Sequence, residues 1–396
     1  MKVALIIDRF DAARGGGEKY AIALARGLSE RGHEVHVFSQ HWADPPRGVH
    51  CHRLPLISYP RWGKVLSLAL YGSRVLTSKD FDVVQGFGGV PSVDVHRPGG
   101  GSELAWLRQE IRSRGQGFGP KAAATAKALG LKLAVNLLVE RAIYGKVGGP
   151  AVVANSQKVR ADILRYYRAM DVRRIRVIYN GVDLDRFHPR NKDLLGKKMR
   201  EGLLVGRDEV VLAFLAHNFR LKGLHCLMEA LRRVREREGN WVLLVGGRGR
   251  QAPFVRLAQR LGIGERVRFL GPVEMPEALL GACDILVHPT FYDPFSNVCL
   301  EAMASGVPVV TTRHNGAAEL VEEAISGYVV PGPEAVDLLA EGILAMMDGG
   351  LREKMGMEAR RIAEGMSWDR HIVAVEGLYR ELLGVAHSEG CLRYGG

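Results

Sequence analysis

The feature that most constrains this chain is an alternation of short apolar strands and helical segments that runs through the sequence twice. In the first half, helical stretches separate the strands that we predict at Val3–Asp8, Glu34–Ser39, Phe81–Gly86, Val93–His96 and Ala151–Asn155. The pattern then restarts with strands predicted at Val210–Ala216, Trp241–Gly246, Val267–Leu270, Ile285–His288 and Val307–Thr311. Continuous apolar runs suit parallel strands that are buried on both faces. The alternation therefore predicts βαβ units around mostly parallel sheets.

The length of the chain fits two such sheets, because 396 residues are too many for one ordinary core. A turn signal at Asn180–Asp183 and the charged stretch Arg190–Arg200 mark the boundary. We therefore predict an α/β protein with two Rossmann-like, doubly wound domains at residues 1–183 and 184–366, followed by a crossover helix at 367–387. Ligands of such sheets bind outside the carboxyl ends of the strands, so we expect a cleft there.

Composition excludes several classes of protein. The 47% hydrophobic and 25% charged residues are ordinary for a globular chain, and no run of 18 apolar residues appears. The apolar stretch at the N-terminus is short and is interrupted by Asp8 and Arg9, which predicts a first strand and a cytoplasmic protein. The five cysteines and thirteen histidines are scattered, so we expect no disulfide framework, no metal site and no cofactor.

The net positive charge of the chain comes entirely from its first half. Residues 1–190 hold 30 Lys and Arg against 16 Asp and Glu, whereas residues 191–396 hold 25 against 27. The excess is densest from Arg108 to Arg176, which favours an anionic partner: phospholipid, a phosphorylated glycan or nucleic acid. We expect docking on an anionic membrane, with shallow insertion of Leu104, Trp106, Leu107 and Phe118. Generic solubility explains the charge equally well, and core packing is the competing explanation for the apolar residues.

Three glycines, Gly15, Gly16 and Gly17, follow the first strand and open the first helix. Glycines at that place let backbone amides approach a phosphate or a sugar, and the helix N-terminus adds positive potential. The spacing differs from the dinucleotide-binding fingerprint, because three consecutive glycines precede a glutamate. A plain loop fits the same residues, and both interpretations stay open.

Two cations, Arg220 and Lys222, follow the first strand of the second half. Arginine can bind phosphate oxygens with a fork of donors and lysine can supply a point charge, so their position favours phosphate binding over ordinary surface charge. Further along, Asp293 precedes a tight turn that starts a helix, and Glu301 lies about one turn into it. The first amides of such a helix can bind a diphosphate, and a glutamate there can accept hydrogen bonds from ribose hydroxyls.

These residues resemble glycosyltransferase family 4, whose members are retaining enzymes with the GT-B fold. The resemblance covers nearly the whole chain. It rests on the glycine-rich loop, the spacing of Asp293 and Glu301, and four further segments at Glu30–Val35, Val177–Asp183, Lys222–Gly223 and Ser367–Trp368. Within the family the chain is similar to the lipopolysaccharide-core glucosyltransferases, through Phe81–Phe87, Val93–Gly101, His41–Trp42 and a long basic helical insertion.

The resemblance implies a role for each site residue. Lys222, helped by Arg220, would stabilise the departing diphosphate, Asp293 would contact the donor sugar and Glu301 would bind ribose. Backbone groups at Val273 would hold the base. The amides of four residues would hold phosphate and sugar: Phe295, Ser296, Asn297 and Val298. The family carries glutamate where this chain has Asp293, which leaves the donor sugar open.

Asp94 and His96 are possible acceptor-side helpers near the carboxyl end of a first-domain strand, and a structural role for both is the other interpretation. The resemblance implies a metal-independent retaining hexosyltransferase. Its donor would be a nucleotide sugar similar to UDP-glucose, a substrate and not a cofactor. Its acceptor would be a lipopolysaccharide-core or other membrane-associated glycan, and the enzyme would be peripheral on the inner membrane.

Two alternatives come from other classes of protein. One is a nucleotide-sugar or nucleic-acid binder without transferase activity. The acid pair and the cations argue against it, and no aromatic stacking motif interleaves the basic stretch, so no nucleic acid is expected. The other is a phosphorylase with a pyridoxal cofactor, for which the chain is short.

Overall fold

The computed structural model describes residues 1–13, 15–77, 80–114, 120–206 and 208–384, with side chains except at 76, 77 and 120–129. Its strands are β1 Lys2–Ile6, β2 Arg9–Phe10, β3 Glu34–Ser39, β4 His41–Trp42, β5 Val49–Arg53, β6 Val83–Phe87, β7 Val95–Arg97, β8 Ala151–Ala154, β9 Ile175–Val177, β10 Val210–Leu215, β11 Trp241–Gly246, β12 Val267–Gly271, β13 Ile285–His288, β14 Val309–Thr312 and β15 Gly327–Val330. Its helices are α1 Gly16–Glu30, α2 Arg61–Thr77, α3 Glu103–Arg112, α4 Pro120–Tyr144, α5 Gln157–Tyr166, α6 Lys197–Gly202, α7 Leu224–Arg237, α8 Ala252–Arg260, α9 Pro276–Ala282, α10 Asn297–Ala304, α11 Val336–Ala345, α12 Gly349–Glu364 and α13 Trp368–Leu382.

The described residues form two compact units. One takes them from Met1–Trp106, Gly117–Gly181 and Trp368–Gly396, and the other from Leu107–Gln116 and Val182–Ser367. The last helix, α13, thus belongs to the first unit, where its Tyr379 hydroxyl donates to Gln85 Oε1 at 2.7 Å. Residues 385–387 of the predicted crossover segment lie outside the described residues.

The first unit is built on a seven-stranded parallel sheet in the order β5-β3-β1-β6-β7-β8-β9. The chain runs from β1 outward through β3 and β5, then returns to place β6 on the other side of β1. This reversal makes the β1/β6 boundary the topological switch point of the sheet, where ligands of doubly wound folds bind. Helices α1 and α13 pack apolar side chains on one face of the sheet, including Leu24 and Val375.

The second unit has a six-stranded parallel sheet in the order β12-β11-β10-β13-β14-β15. Its direction reverses between β10 and β13, so this boundary is its switch point. The strands are buried because helices cover both faces, and Leu212, Trp241 and Ile285 are fully buried in the main core of the unit.

The alternation of strands and helices predicted this architecture, including the two parallel sheets. Several elements were not predicted, among them the strands β5, β9 and β15 and the helices α5 and α6. Of these, β5 is a sheet-edge strand whose sequence, Val-His-Cys-His-Arg, is largely polar. An edge strand buries less surface than a central one, so its sequence carries a weaker apolar signal.

Candidate functional site

A charged cluster occupies the switch point of the second sheet. Lys222 follows β10, His288 is the last residue of β13, and Asp293 lies five residues further on. Because β10 and β13 are neighbouring parallel strands, their carboxyl ends bring these side chains to one place. The Lys222 ammonium donates to Asp293 Oδ2 at 2.6 Å and to the Tyr292 carbonyl at 2.9 Å. The His288 ring meets the same carboxylate oxygen at 3.2 Å.

The charge states of this cluster follow from its contacts. Burial acts to raise the pKa of Asp293, but the Lys222 ammonium and the His288 hydrogen bond outweigh it and hold the pKa well below its ordinary value. Burial lowers the pKa of His288, so the ring is neutral at pH 7. A neutral ring must donate through Nε2, because the ionised oxygen it faces can only accept. Asp293 is therefore an ionised carboxylate with two donors on one oxygen.

These hydrogen bonds leave out the second oxygen of Asp293, Oδ1. Within the part of the chain that the structure describes, both hydrogen bonds to the Asp293 side chain reach Oδ2. The side chain is 13% exposed, whereas that of His288 is 2% exposed. The cluster thus presents one carboxylate oxygen and a lysine ammonium, and His288 supports them from the interior.

The glycine after Lys222 fixes the loop that carries it. Gly223 has φ +76°, and a Cβ at this position would lie 1.9 Å from the Pro289 carbonyl oxygen. A side chain here would force apart the loops that follow β10 and β13. The helix α7 begins directly afterwards at Leu224. Gly223 therefore allows the close approach of the two loops, and this approach brings the Lys222 ammonium to Asp293.

The turn before α10 depends on a residue that sequence reasoning missed. Asn315, 1% exposed, follows β14, and its Oδ1 accepts from the backbone amides of Ser296 at 3.1 Å and Ala317 at 3.0 Å. Its Nδ2 donates to Thr311 Oγ1 at 3.0 Å and to Cys299 Sγ at 3.3 Å. The Asn315 side chain thus joins the end of β14, the first turn of α10 and the turn before it, and so it fixes the backbone around the site. The sequence did carry one signal for this role, because Asn315 follows a strand and precedes a glycine, as turn residues often do.

These bonds correct one expectation for the α10 amides. The amide of Ser296 was predicted to hold phosphate, but it donates to Asn315 Oδ1. Ser296 is the N-cap residue, yet its side chain makes no capping bond to the first turn. The helix begins at Asn297, so Asn297 and Val298 lie at its N-terminus, where amides point out of the helix. Phe295 is buried just before it.

The other predicted residues of the second unit lie around this cluster. Glu301 is half-buried one turn into α10, and Arg220 is exposed in the loop that carries Lys222. Val273 follows β12 and packs against the end of β11, because a Cβ on Gly246 would lie 2.6 Å from its Cγ2. All of them follow or flank carboxyl ends of strands in this sheet.

The first unit holds the remaining candidates. Gly15 is the N-cap of α1 and Gly16 and Gly17 form its first turn, so the glycine loop does lead into a helix N-terminus. Asp94 was expected near the carboxyl end of a strand, and this expectation was wrong. Strand β7 begins at Val95, so Asp94 lies at its amino end. There its Oδ2 accepts from the Val84 amide at 2.8 Å, a bond that ties the start of β7 to the neighbouring strand β6.

His96 lies in β7, buried to 2% exposure, and its ring meets Tyr144 edge-on. It lines a cavity of about 560 Å³ with Asp8, Gly88 and Gly101, which follow β1, β6 and β7. The cavity thus opens at the switch point of the first sheet.

Among the described residues, no group of three or more His, Cys, Asp or Glu side chains is arranged to hold a metal ion. The described cysteines, Cys51, Cys226, Cys283 and Cys299, are free thiols. Burial raises the pKa of the Cys299 thiol to about 12, so the sulfur beside Asn315 is a neutral packing group.

Comparison with known proteins gives matches over most of the chain. The model of glycosyl transferases group 1 matches residues 197–362, and that of Glycosyltransferase Family 4 matches residues 14–99 and 119–186. Lipopolysaccharide glucosyltransferase WaaG of Escherichia coli is 25% identical over 88% of this chain and 91% of the relative. A D-inositol 3-phosphate glycosyltransferase of Corynebacterium jeikeium is 33% identical over 60% of this chain, which spans only 58% of that relative.

Solved structures agree with this fold. The crystal structure of WaaG has a TM-score of 0.77 at 23% identity, with 96% of this chain and all of that one covered. Anabaena HepE, solved in complex with UDP and glucose, has a TM-score of 0.68 at 20% identity, with 98% of this chain and all of that one covered. With two parallel, doubly wound units and both family models matched, the chain belongs to glycosyltransferase family 4 and has the GT-B fold.

Proposed function

We propose that the protein is a retaining hexosyltransferase that uses a nucleotide sugar similar to UDP-glucose and acts on a lipopolysaccharide-core or other membrane-associated glycan. The observation that carries this proposal is the Lys222–Asp293 pair at the switch point of the second sheet. A lysine ammonium there suits a diphosphate, and the second Asp293 oxygen suits a sugar hydroxyl. The HepE structure in complex with UDP and glucose and the WaaG relative, a lipopolysaccharide glucosyltransferase, support a nucleotide-sugar donor and a glycan acceptor.

In this proposal each group of the second unit acts on one part of the donor. Lys222, with Arg220, stabilises negative charge on the leaving diphosphate, and the N-terminus of α10 binds phosphate oxygens. Glu301 accepts from ribose hydroxyls, and backbone groups at Val273 hold the base. Asp293 orients the sugar through the oxygen that Lys222 and His288 leave available.

The electrostatics of Asp293 bear on the proposed stereochemistry. A carboxylate whose pKa is held well below its ordinary value is a weak base and a weak nucleophile. Asp293 therefore suits positioning better than covalent attack on the sugar. This favours retention in which the leaving phosphate accepts the proton of the acceptor hydroxyl, with protein groups positioning the reactants and stabilising charge.

A panel of donors tests the proposal. We expect UDP-, GDP- and ADP-sugars to show unequal saturation-transfer NMR signals, with UDP-glucose bound and slowly hydrolysed. Hydrolysis separates an enzyme from a nucleotide-sugar binder, and the preferred nucleotide identifies the base. Binding without any hydrolysis or transfer, with acceptor glycans present, would favour the non-catalytic alternative.

We expect activity to survive metal chelation. In this proposal Lys222, Arg220 and the N-terminus of α10 neutralise the diphosphate, for which other enzymes use a divalent ion. Initial rates with and without EDTA check this expectation. A complete loss of activity that added Mg²⁺ or Mn²⁺ restores would contradict it.

The first unit is proposed to dock on the cytoplasmic face of an anionic inner membrane. Among the described helices, none is long and apolar enough to cross a bilayer. Helices α2 and α4 pack together and expose leucines, at Leu66 and Leu70 on α2 and at Leu131 and Leu138 on α4. The same helices and the residues after them expose Arg74, Lys132, Arg141 and Lys146. Exposed leucines flanked by cations suit the headgroup region of an anionic bilayer.

This surface differs from the one expected from sequence. Leu104 packs in the core with Val139 and Ile143, so it is not exposed for insertion. Trp106 and Leu107 are half-buried, and Phe118 lies outside the described residues. Several basic side chains of the stretch pair with acids: Arg112 with Glu334, Arg114 with Glu110, Lys158 with Asp162, and Arg176 with Glu381.

We expect the protein to sediment with phosphatidylglycerol vesicles at low salt, to release at high salt, and to ignore phosphatidylcholine vesicles. Attraction to a charged surface fades within about 8 Å at physiological salt, which gives the salt dependence. Arg141→Glu should weaken sedimentation, whereas Arg237→Glu, an equal charge reversal on an exposed residue of the second unit, should not. Equal binding to both vesicle types would argue for a soluble acceptor and against peripheral docking.

A further inference from the structure

Three histidines share one face of the first sheet at its edge. His36 lies in β3, and His50 and His52 lie two residues apart in β5, the edge strand. Side chains two residues apart on a strand point to the same face, and His36 is the register partner of His50. Both rings of β5 lie against the His36 ring, with 4.9 and 5.0 Å between ring centroids. Parallel pairing of the two strands therefore gathers three imidazoles, although His36 is distant from the other two in sequence.

Two of these rings face each other through nitrogen atoms. His36 Nδ1 and His52 Nε2 are 2.8 Å apart, and His36 Nε2 is 2.8 Å from Glu34 Oε1. The Glu34 carboxylate also pairs with the Lys2 ammonium at 3.4 Å, and an ionised carboxylate can only accept hydrogen bonds. In a neutral His36 ring the proton therefore lies on Nε2, and Nδ1 presents a lone pair to His52.

The arrangement has the features of a pair of metal-binding histidines. A metal-ligating histidine almost always donates its other ring N–H to a carboxylate, carbonyl or water, and Glu34 is such a partner for His36. Two nitrogens that bind one ion in cis positions, each at about 2.0 Å, lie about 2.8 Å apart. Phe38 stacks on His52 at 4.7 Å between ring centroids, which restricts that ring. His52 is exposed, so an ion reaches the pair directly from solvent.

We propose that His36 Nδ1 and His52 Nε2 bind one divalent transition-metal ion, with water in its remaining positions. Imidazole nitrogen suits Ni²⁺, Cu²⁺ and Zn²⁺, whereas Mg²⁺ and Ca²⁺ prefer oxygen ligands. The ion replaces the hydrogen bond between the two rings and joins the edge strand β5 to β3. Two protein ligands make the site exchangeable, and among the described residues no group of three or more ligands competes with it. The ion stabilises the first unit and takes no part in the proposed transfer.

Isothermal titration calorimetry and thermal unfolding of the untagged protein with Ni²⁺ test the proposal. Ni²⁺ suits the experiment because, unlike Cu²⁺, it does not oxidise free thiols such as Cys51. We expect Ni²⁺ to bind and to raise the melting temperature as its concentration rises, since an ion that binds only the folded chain stabilises it. Mg²⁺ at the same concentrations should leave the melting temperature unchanged.

Three variants locate the ion. His52→Phe keeps an aromatic ring against Phe38 but removes Nε2, so it should weaken Ni²⁺ binding by more than about tenfold. Glu34→Gln replaces the carboxylate that orients His36, and it should weaken Ni²⁺ binding by about tenfold. His41→Phe, the matched control, removes an exposed histidine of the same unit and should leave Ni²⁺ binding unchanged. His52→Ala makes the same comparison if the phenylalanine protein does not fold.

Several results would overturn the proposal. They are no binding of Ni²⁺, equal affinity of the parent and His52→Phe, equal stabilisation by Mg²⁺ and Ni²⁺, a loss in His41→Phe as large as that in His52→Phe, or unchanged affinity in Glu34→Gln. The donor panel is independent of these titrations, because the histidines lie in the first unit and the proposed donor site lies in the second. Binding of Ni²⁺ without any UDP-glucose turnover would therefore reject the proposed transferase and retain the metal site.

Discussion

Lys222→Ala is expected to lower turnover by about 10²–10³-fold, because it removes a preorganised charge from the place where diphosphate charge develops. The ammonium is held by the Tyr292 carbonyl and Asp293, so its position is set before any ligand arrives. An interaction that strengthens as the leaving group departs affects the rate more than it affects binding of the ground state. Single-turnover rates at saturating donor measure the effect directly.

Stability must be measured beside the rate, because the same change leaves the buried Asp293 carboxylate with only His288. Breaking a buried ion pair from one side destabilises a protein by about 3–5 kcal/mol. The double variant Lys222→Ala with Asp293→Asn removes the unpaired charge, so it should recover stability and stay inactive. Lys198→Ala is the matched control, since it removes an exposed lysine of the second unit that has no role in the proposed site. Near-normal turnover in folded Lys222→Ala protein would remove Lys222 from catalysis.

Those parts of the site that depend on strand ends were predictable from sequence. Lys222 and Asp293 were selected because each follows an apolar run, and parallel strands bring such positions to one edge. Their direct ion pair was not predicted, because the pattern gives the edge and not the distance between two loops. Asp94 shows the limit of the same argument. The predicted strand began at Val93, whereas β7 begins at Val95, so Asp94 precedes the strand and accepts a hydrogen bond from the Val84 amide there.

The first-unit cavity was less accessible to sequence reasoning. Its floor joins Glu103 to Glu140 through a hydrogen bond between residues far apart in the chain. Both glutamates lie in predicted helical segments, and helical periodicity does not say which polar residues are buried. Tertiary packing determines their burial, and in the folded chain both glutamates line the cavity. The exposed leucines of α2 and α4 were missed for the same reason, since periodicity does not say which apolar residues remain uncovered.

Asn315 is the residue whose removal should most damage the structure of the site. Its Oδ1 is the acceptor for two buried backbone amides, and leaving a buried donor unsatisfied costs about 1–3 kcal/mol each. We therefore expect Asn315→Ala to lower the free energy of unfolding by about 3 kcal/mol, measured by urea denaturation. The matched control is Asn240→Ala, because Asn240 is an exposed asparagine whose loss should stay within about 0.5 kcal/mol.

The same variant should weaken nucleotide binding even under conditions where it is folded. Asn315 fixes the Ser296 amide, and through it the path of the chain from Asp293 into α10. Once that bond is lost, the turn can rotate and the amides at Asn297 and Val298 no longer point to one place. Thr311→Val removes one acceptor of Asn315 Nδ2 and the donor to the His288 carbonyl, but it leaves both hydrogen bonds of Asn315 Oδ1, so it should cause a smaller loss of affinity. If Asn315→Ala bound nucleotide as the parent does, the turn would be held by α10 itself, and Asn315 would be a core residue without influence on the site.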